Sequence, residues 1–351
     1  MSTASLLADP PVRFTLPLEL SAAEPPEARG LARDEVRLMV AGPDGIEHAT
    51  FRDLGRFLRA GDLVVVNTSA TIPAAVDGSR AGRHVVVHFS APCDDGSWVI
   101  ELRTPDGTGP LRDGEAGGSI DLPGGTRLRL LSAYPDPGAP QSRLRRARLD
   151  VEAPVEMYLA RYGRPIVYGY VRGRWPLAAY QTVFGREPGS AEMPSAGRPF
   201  TERLVTELVA IGVLVAPVLL HCGVSSLEEH ESLLPERYRV PAETARLVNH
   251  ARSHGGRVVA IGTTVTRALE TVADPDGFVR PGEGWTDLVL GPDRPGRVVD
   301  GIVTGWHAPD ASHLRLLEAV AGADLVRRAY DSALESRYLW HEFGDSALLF
   351  A

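Results

Sequence analysis

The sequence predicts an α/β protein interrupted by an antiparallel β insertion, and three observations carry that expectation. From Val155 to the C-terminus, apolar runs of strand length alternate with amphipathic helical periods, the pattern of a mostly parallel sheet flanked by helices. Between residues 71 and 154 the texture changes to short alternating runs broken by Gly, Pro and Asp roughly every 8–15 residues, the rhythm of a small antiparallel barrel or sandwich. At 351 residues the chain also exceeds the usual size of one hydrophobic core. The expected organisation is a discontinuous α/β domain over 1–70 and 155–351, with the β insertion at 71–154.

In chain order, Val36–Val40 reads as a strand, Gly42–Gly45 as a hairpin turn, Phe51–Leu58 as a short helix and Leu63–Val66 as a second buried strand. Within the insertion, strands are expected at Arg83–Phe89, Trp98–Arg103, Gly118–Leu122, Thr126–Leu131 and Ala147–Val151. Thr201–Gly212 is a helix capped by Thr201 and closed by Gly212, and a strand at Val213–Leu220 comes after it. Pro241–Gly255 is another helix, with Pro at its start and Gly at its end. Val258–Ile261, Leu288–Leu290 and Val298–Val303 read as strands, and Ser312–Tyr338 as one long helix.

Arg257–Glu270 is the most informative stretch. A β-branched strand meets Gly262, Thr263 or Thr264 can cap the next helix, and Val265, Ala268, Leu269 and Val272 share one face of it. A strand, a glycine turn and a helix start leave free backbone N–H groups at the strand's carboxyl end, a place suited to a carboxylate or phosphate. Arg267 adds a full positive charge. Other polar clusters also sit at strand ends: His221 after 213–220, Trp285-Thr286-Asp287, Asp300 and His307. Ligands collect at such ends in open α/β sheets, and a histidine there can exchange protons near neutral pH.

Composition narrows the chemistry. No apolar run approaches the ~20 residues needed to span a membrane. The N-terminus lacks signal-peptide character, and Cys93 and Cys222 lie far apart outside any CxxC, so a reducing cytoplasm is expected. The chain has no lysine; its 37 basic side chains are all arginine. A pyridoxal Schiff base, a Walker-type phosphate lysine and a lysine base are thereby excluded. The net charge of −8 leans away from a polyanion partner, although Arg143–Arg148 forms a local basic run. Neither GxGxxG nor GxxxxGK[ST] occurs. The pairs His84–His88 and His250–His254 have no third ligand at matching spacing, so no metal is expected.

Several motifs occur together in a fixed order. They are Tyr180-Gln181-Thr182-Val183-Phe184, Pro194-Ser195-Ala196-Gly197 running into Phe200-Thr201-Glu202, Leu220-His221 with Gly223, and Gly262-Thr263-Thr264 with Arg267 and Glu270. Gly284-Trp285-Thr286-Asp287-Leu288, Val299-Asp300-Gly301, His307 with Pro309, and Gly344-Asp345 complete the series. In this order and spacing the chain resembles the S-adenosylmethionine:tRNA ribosyltransferase-isomerase family of queuosine biosynthesis. Fainter likeness at Phe51–Leu54, Gly61–Leu63 and Val66–Ala74 extends it over nearly everything outside the insertion.

The resemblance implies a barrel-like or mixed-sheet α/β domain carrying an inserted β-barrel. It also implies S-adenosylmethionine as a substrate whose ribosyl unit passes to a 7-aminomethyl-7-deazaguanine base in a tRNA anticodon loop. The ribose rearranges to an epoxycyclopentanediol, and adenine and methionine leave; no metal is required. On this reading His221 or His307 moves the proton, with Asp287 as a further catalytic group. The Gly262–Thr264 turn and Arg267 hold the methionine carboxylate, while Trp285 and Thr286 line the adenosine pocket. Tyr180 and Gln181 face the acceptor, with Ser195, Gly197, Thr201 and Asp300 as further substrate contacts.

Departures from the family pattern are also present. A histidine has become Pro199, a lysine has become Asp310, and an acid and an arginine are lost at Asn67-Thr68-Ser69-Ala70. The family's Lys-Met-His stretch has no histidine counterpart near Glu231–Glu236. Together with the acidic balance, these losses weigh against tRNA. They favour a divergent enzyme that cleaves S-adenosylmethionine, or transfers from it or a related adenosyl compound, without tRNA. A non-catalytic RNA-binding or regulatory relic is a further alternative.

Overall fold

The computed structural model describes residue 12 and residues 14–351, apart from 113, 115, 140, 225–233 and 310. A hairpin, β1 (Arg37–Gly42) and β2 (Gly45–Thr50), is followed by β3 (Leu63–Asn67) and the short β4 (Ser69–Thr71). Six strands come next: β5 (Ala75–Arg80), β6 (Arg83–Pro92), β7 (Trp98–Arg103), β8 (Ser119–Leu122), β9 (Thr126–Ala133) and β10 (Leu144–Leu149). Helix α1 (Val155–Tyr162) and β11 (Glu187–Ser190) lead to α2 (Glu202–Ala210), β12 (Leu214–Leu220), β13 (Glu236–Val240), α3 (Ala242–Ser253) and β14 (Val258–Ile261). The chain finishes with α4 (Thr263–Thr271), β15 (Gly282–Thr286), β16 (Gly301–Gly305), α5 (His313–Ala321), α6 (Ala323–Glu335) and β17 (Ser346–Phe350).

Nine strands form one sheet in the order β15-β13-β12-β3-β14-β16-β17-β1-β2. Its centre is parallel from β12 to β16. Strands β13 and β15 continue it antiparallel on one side, and β17 runs antiparallel to β16 on the other. The sheet is therefore mixed, not mostly parallel. Alternation along the central strands fills two cores: Leu63 and Val65 join one cluster and Val64 and Val66 the other, and β14 divides its side chains in the same way. Burial on both faces is why these strands read as continuous β-branched runs.

Strands β5 to β10 close into a barrel, β10-β7-β6-β5-β8-β9, around Phe89, Ile100, Leu102 and Leu128. The strands expected from the sequence do not include β5, whose centre is Asp77-Gly78-Ser79. Gly78 is there for packing: a Cβ would stand 2.6 Å from a Leu122 methyl. The basic run Arg143–Arg148 is no open patch. Arg143 and Arg145 are buried, while Arg146 and Arg148 pair with Asp95.

Three further expectations change. Leu288–Leu290 is a loop, and the strand lies upstream at β15. Strand β16 begins only at Gly301, because the N–H groups of Arg297, Val298 and Val299 all donate to the buried Glu270 carboxylate instead of a ladder. The long helix breaks at Gly322, whose φ of 80° and ψ of 145° separate α5 from α6. Among the described residues, no helix is long and apolar enough to cross a membrane.

Candidate active site

The carboxyl ends of β4, β12, β14 and β16 open into one cleft of about 820 Å³. Thr71, Cys222–Val224, Gly262–Thr264 and Thr304–Ala308 contribute from those ends, and barrel residues Ser90–Asp94 form part of the far side. Of the residues singled out in the sequence, the cleft gathers Gly262, Thr263, Thr264, Arg267, Trp285, Tyr180, Ser195 and His307.

Gly262 occupies the cap position of α4 with φ 96°, so the turn belongs to a glycine and neither threonine acts as N-cap. Its own N–H is bound to the Val303 carbonyl at 2.8 Å. The N–H groups of Thr263, Thr264 and Val265 belong to the first turn and have no intrahelical acceptor. One turn further on, the buried Arg267 donates to the Leu288 carbonyl at 3.1 Å, to the Thr286 carbonyl at 3.1 Å and to the Glu236 carboxylate. The guanidinium thus anchors the loop after β15 while still lining the cleft. Thr286 is buried behind it, its hydroxyl 2.6 Å from that of Thr271. Trp285 lies in the cleft with 41% of its surface open.

His307 stacks on His313 with centroids 4.5 Å apart. Its Nε2 lies 2.9 Å from the Thr304 hydroxyl, which itself donates to the Gly305 carbonyl at 3.1 Å. The geometry accommodates the tautomer in which Nε2–H donates to this hydroxyl and Nδ1 keeps the lone pair. Burial, with His313 and His341 adding to it, holds His307 well below the usual histidine range. His313 is likewise lowered to about 4 by burial and by Arg267. The cleft's histidines are neutral imidazoles.

Another wall carries residues the sequence reading missed. His341 lies flat against Tyr170 at 4.1 Å, and Tyr170 stacks in turn on Tyr168. The Tyr170 hydroxyl donates to Glu342 at 2.5 Å, and that of Tyr168 donates to Glu192. Glu342 keeps some surface open to the cleft. Burial, with Glu192 adding to it, still pushes its carboxyl up to about 7 against the lowering effect of Tyr170. The signal was present beside a motif already noted, since His341 and Glu342 immediately precede Phe343-Gly344-Asp345.

The remaining predicted residues lie off the cleft lining. His221 packs its ring over Gly189, where a Cβ would stand 2.4 Å away, and bonds Ser69 through Nδ1 at 2.7 Å. Gln181 clasps the backbone of Thr71 from both sides, at 3.0 and 2.8 Å. Gly197 is buried against Thr182 and Phe184. Thr201 caps α2 by accepting from Leu204 N–H at 3.1 Å. Asp287 is exposed beyond β15. Asp300 sits at the opposite end of the sheet, accepting from Val258 N–H at 2.8 Å. Asp310 and Glu231 fall outside the described residues. Of the histidine pairs, His88 is buried beside Glu101, and the rings of His250 and His254 lie tilted against each other at 4.1 Å.

Comparison with known proteins places this chain in a family. A family model described as queuosine biosynthesis protein matches residues 11–349. An S-adenosylmethionine:tRNA ribosyltransferase-isomerase of Symbiobacterium thermophilum is 37% identical over 96% of this chain and 98% of its own length. One of the same name from Acidiphilium cryptum is 35% identical over 96% and 97%. The crystal structure of S-adenosylmethionine tRNA ribosyltransferase from Thermotoga maritima superposes with a TM-score of 0.52 at 28% identity, covering 96% of this chain and 99% of that one. The chain belongs to the queuosine biosynthesis family of S-adenosylmethionine:tRNA ribosyltransferase-isomerases.

Proposed function

We propose that the protein transfers the ribosyl unit of S-adenosylmethionine to a 7-aminomethyl-7-deazaguanine base of a tRNA, with rearrangement of the ribose and release of adenine and methionine. The observation that carries this reading is the one cleft in which the first turn of α4, a half-open tryptophan and a neutral histidine meet. The first-turn N–H groups of α4 and Arg267 suit the methionine carboxylate. Trp285 offers a π-face to the adenine, or to the sulfonium cation. A sulfonium acidifies the adjacent C5′ proton, and Nδ1 of His307 is the lone pair we assign to remove it. Compartment goes with substrate: we infer cytoplasmic work because tRNA is there. We also read residues 1–70 and 155–351 as the catalytic unit and 71–154 as its insertion.

The tRNA-free and non-catalytic alternatives are not favoured, because similarity to enzymes of one name runs through almost the entire chain. Adenine release tests this directly. It is expected from S-adenosylmethionine only when a tRNA carrying the aminomethyl base is added; release at the same rate without tRNA would overturn the acceptor. Replacing His307 by Ala should cut turnover by ~10²–10⁴, and a loss below about threefold would remove it as the base. His221→Ala serves as the control, with its effect falling on stability instead of the chemical step.

A further inference from the structure

Among the described residues, Glu342 is an acid without a counter-ion. Its hydrogen bonds come from the neutral Tyr170 phenol and its own backbone N–H, and the neighbouring charge is another carboxylate, Glu192. Its position is tightly built. His341 holds φ 72°, and Gly344 admits no side chain, since a Cβ would stand 2.3 Å from the Leu339 carbonyl. Asp345 then fastens both ends of the turn, accepting from Leu339 N–H at 2.8 Å and from Arg37 N–H at 2.9 Å and its guanidinium at 2.8 Å. A turn this constrained presents one carboxyl to the cleft in a fixed place.

Tyr180 supplies an independent sign of a ligand. It is 3% exposed and lines the same cleft, its ring 5.1 Å from Phe343, yet its hydroxyl has no hydrogen-bond partner among the described residues. A buried unpaired hydroxyl is costly, so a polar group arriving from the cleft is the natural way to satisfy it. An unbalanced carboxyl and an unsatisfied phenol, on a wall built by the stacked rings of Tyr170 and His341, together describe a receptor for an ammonium group.

We propose that this corner is the acceptor-amine subsite: Glu342 binds the protonated aminomethyl group of the deazaguanine, with the Tyr180 hydroxyl as a second contact, and takes one proton from it. The ammonium becomes a neutral amine, the carboxylate becomes a carboxylic acid, and the freed nitrogen lone pair is available to attack the ribose. The inference rests on the reaction proposed above and goes beyond it by assigning the group that activates the nucleophile. The groups facing Glu342 suit the task. Burial and Glu192 favour its protonated form, Tyr170 opposes them, and His341 stays neutral. The acid is thereby poised near the working pH, where a general base is most effective.

The test compares two forms of one tRNA, carrying the aminomethyl base or carrying guanine. The wild-type protein is expected to bind the amine-bearing form ~10–100-fold more tightly, the worth of a charge-assisted hydrogen bond. Glu342→Gln should abolish that preference while leaving S-adenosylmethionine affinity within about twofold. Tyr180→Phe should reduce the preference ~3–10-fold, which keeps the test decisive if the first variant folds poorly. A preference retained in both variants, or no preference in the wild type, overturns the subsite. So does a loss of S-adenosylmethionine affinity beyond about tenfold in Glu342→Gln. A wild type that prefers the amine but releases no adenine upholds the subsite and overturns the proposed reaction.

Discussion

Glu101 in the barrel and Glu342 in the cleft are both enclosed glutamates, and they are treated in opposite ways. Glu101 is fully buried, with Arg143 at 2.7 Å on one oxygen, Arg103 at 3.1 Å on the other and His88 at 3.6 Å. Burial disfavours its charge, but His88, Arg143 and Arg103 outweigh that and hold the carboxyl down at about 2. Glu342 receives a phenol where Glu101 receives guanidinium groups, and it rises to about 7. The barrel core neutralises its acid for good, whereas the cleft leaves its acid able to gain or lose a proton. A carboxyl given a fixed counter-ion serves the scaffold, and one denied it is available to a ligand.

The largest expected effect breaks the first half of that comparison. Arg143→Met leaves Glu101 short of its nearest cation in a dry core and should cost ~3–5 kcal/mol of stability by urea unfolding. A cost below about 1 kcal/mol would mean that the barrel carboxylate is not held by its ion pairs. Next in size is the pH dependence, where the two acids have opposite signs. Glu101 lies below its ordinary value of 4.5, so its contribution is present above that pH and is lost as the pH falls toward about 2. Glu342 lies above 4.5, so its contribution is present below that pH and is lost as the pH rises to about 7. At ~1.4 kcal/mol per pH unit the second loss amounts to at most about 3.5 kcal/mol. The stability of the wild type relative to Glu342→Gln should therefore decline from pH 4 to 8, the buried histidines contributing equally to both proteins. Parallel profiles would deny Glu342 its raised value.

Much of this architecture was legible because it rests on local patterns. Val258–Ile261, Gly262 and the apolar face of α4 come from β-branching, glycine and helical spacing, and the structure keeps all three. What escaped depended on contacts between distant residues. Glu270 claims the N–H groups of 297–299 and so delays β16, and nothing near residue 298 announces it. Motif membership also failed to separate the cleft from its supports. Gln181, Thr201, His221 and Asp300 sit in motifs as distinctive as those of Tyr180 and His307, yet their polar atoms bind backbone or neighbouring side chains. Glu342 was hidden for the converse reason. Its character comes from Tyr170 and Glu192, both more than a hundred residues earlier, and no periodicity records that meeting.

The smallest effect sharpens the second half of the comparison. The Tyr170 phenol is the neutral counterpart of Arg143: it donates to Glu342 at 2.5 Å and lowers the carboxyl's value without supplying a charge. Tyr170→Phe keeps the ring that stacks against His341 and deletes only that donor. The carboxylate loses its hydrogen bond while burial and Glu192 remain, so Glu342 should titrate at higher pH than in the wild type. The accompanying loss of stability should be about 1 kcal/mol, and greater above pH 7, where the ionised carboxylate most needs the donor. Carboxyl carbon NMR of glutamate-labelled protein reads the shift directly. Movement to lower pH would mean that the phenol had been holding the acid protonated, reversing the role the two glutamates assign to their partners.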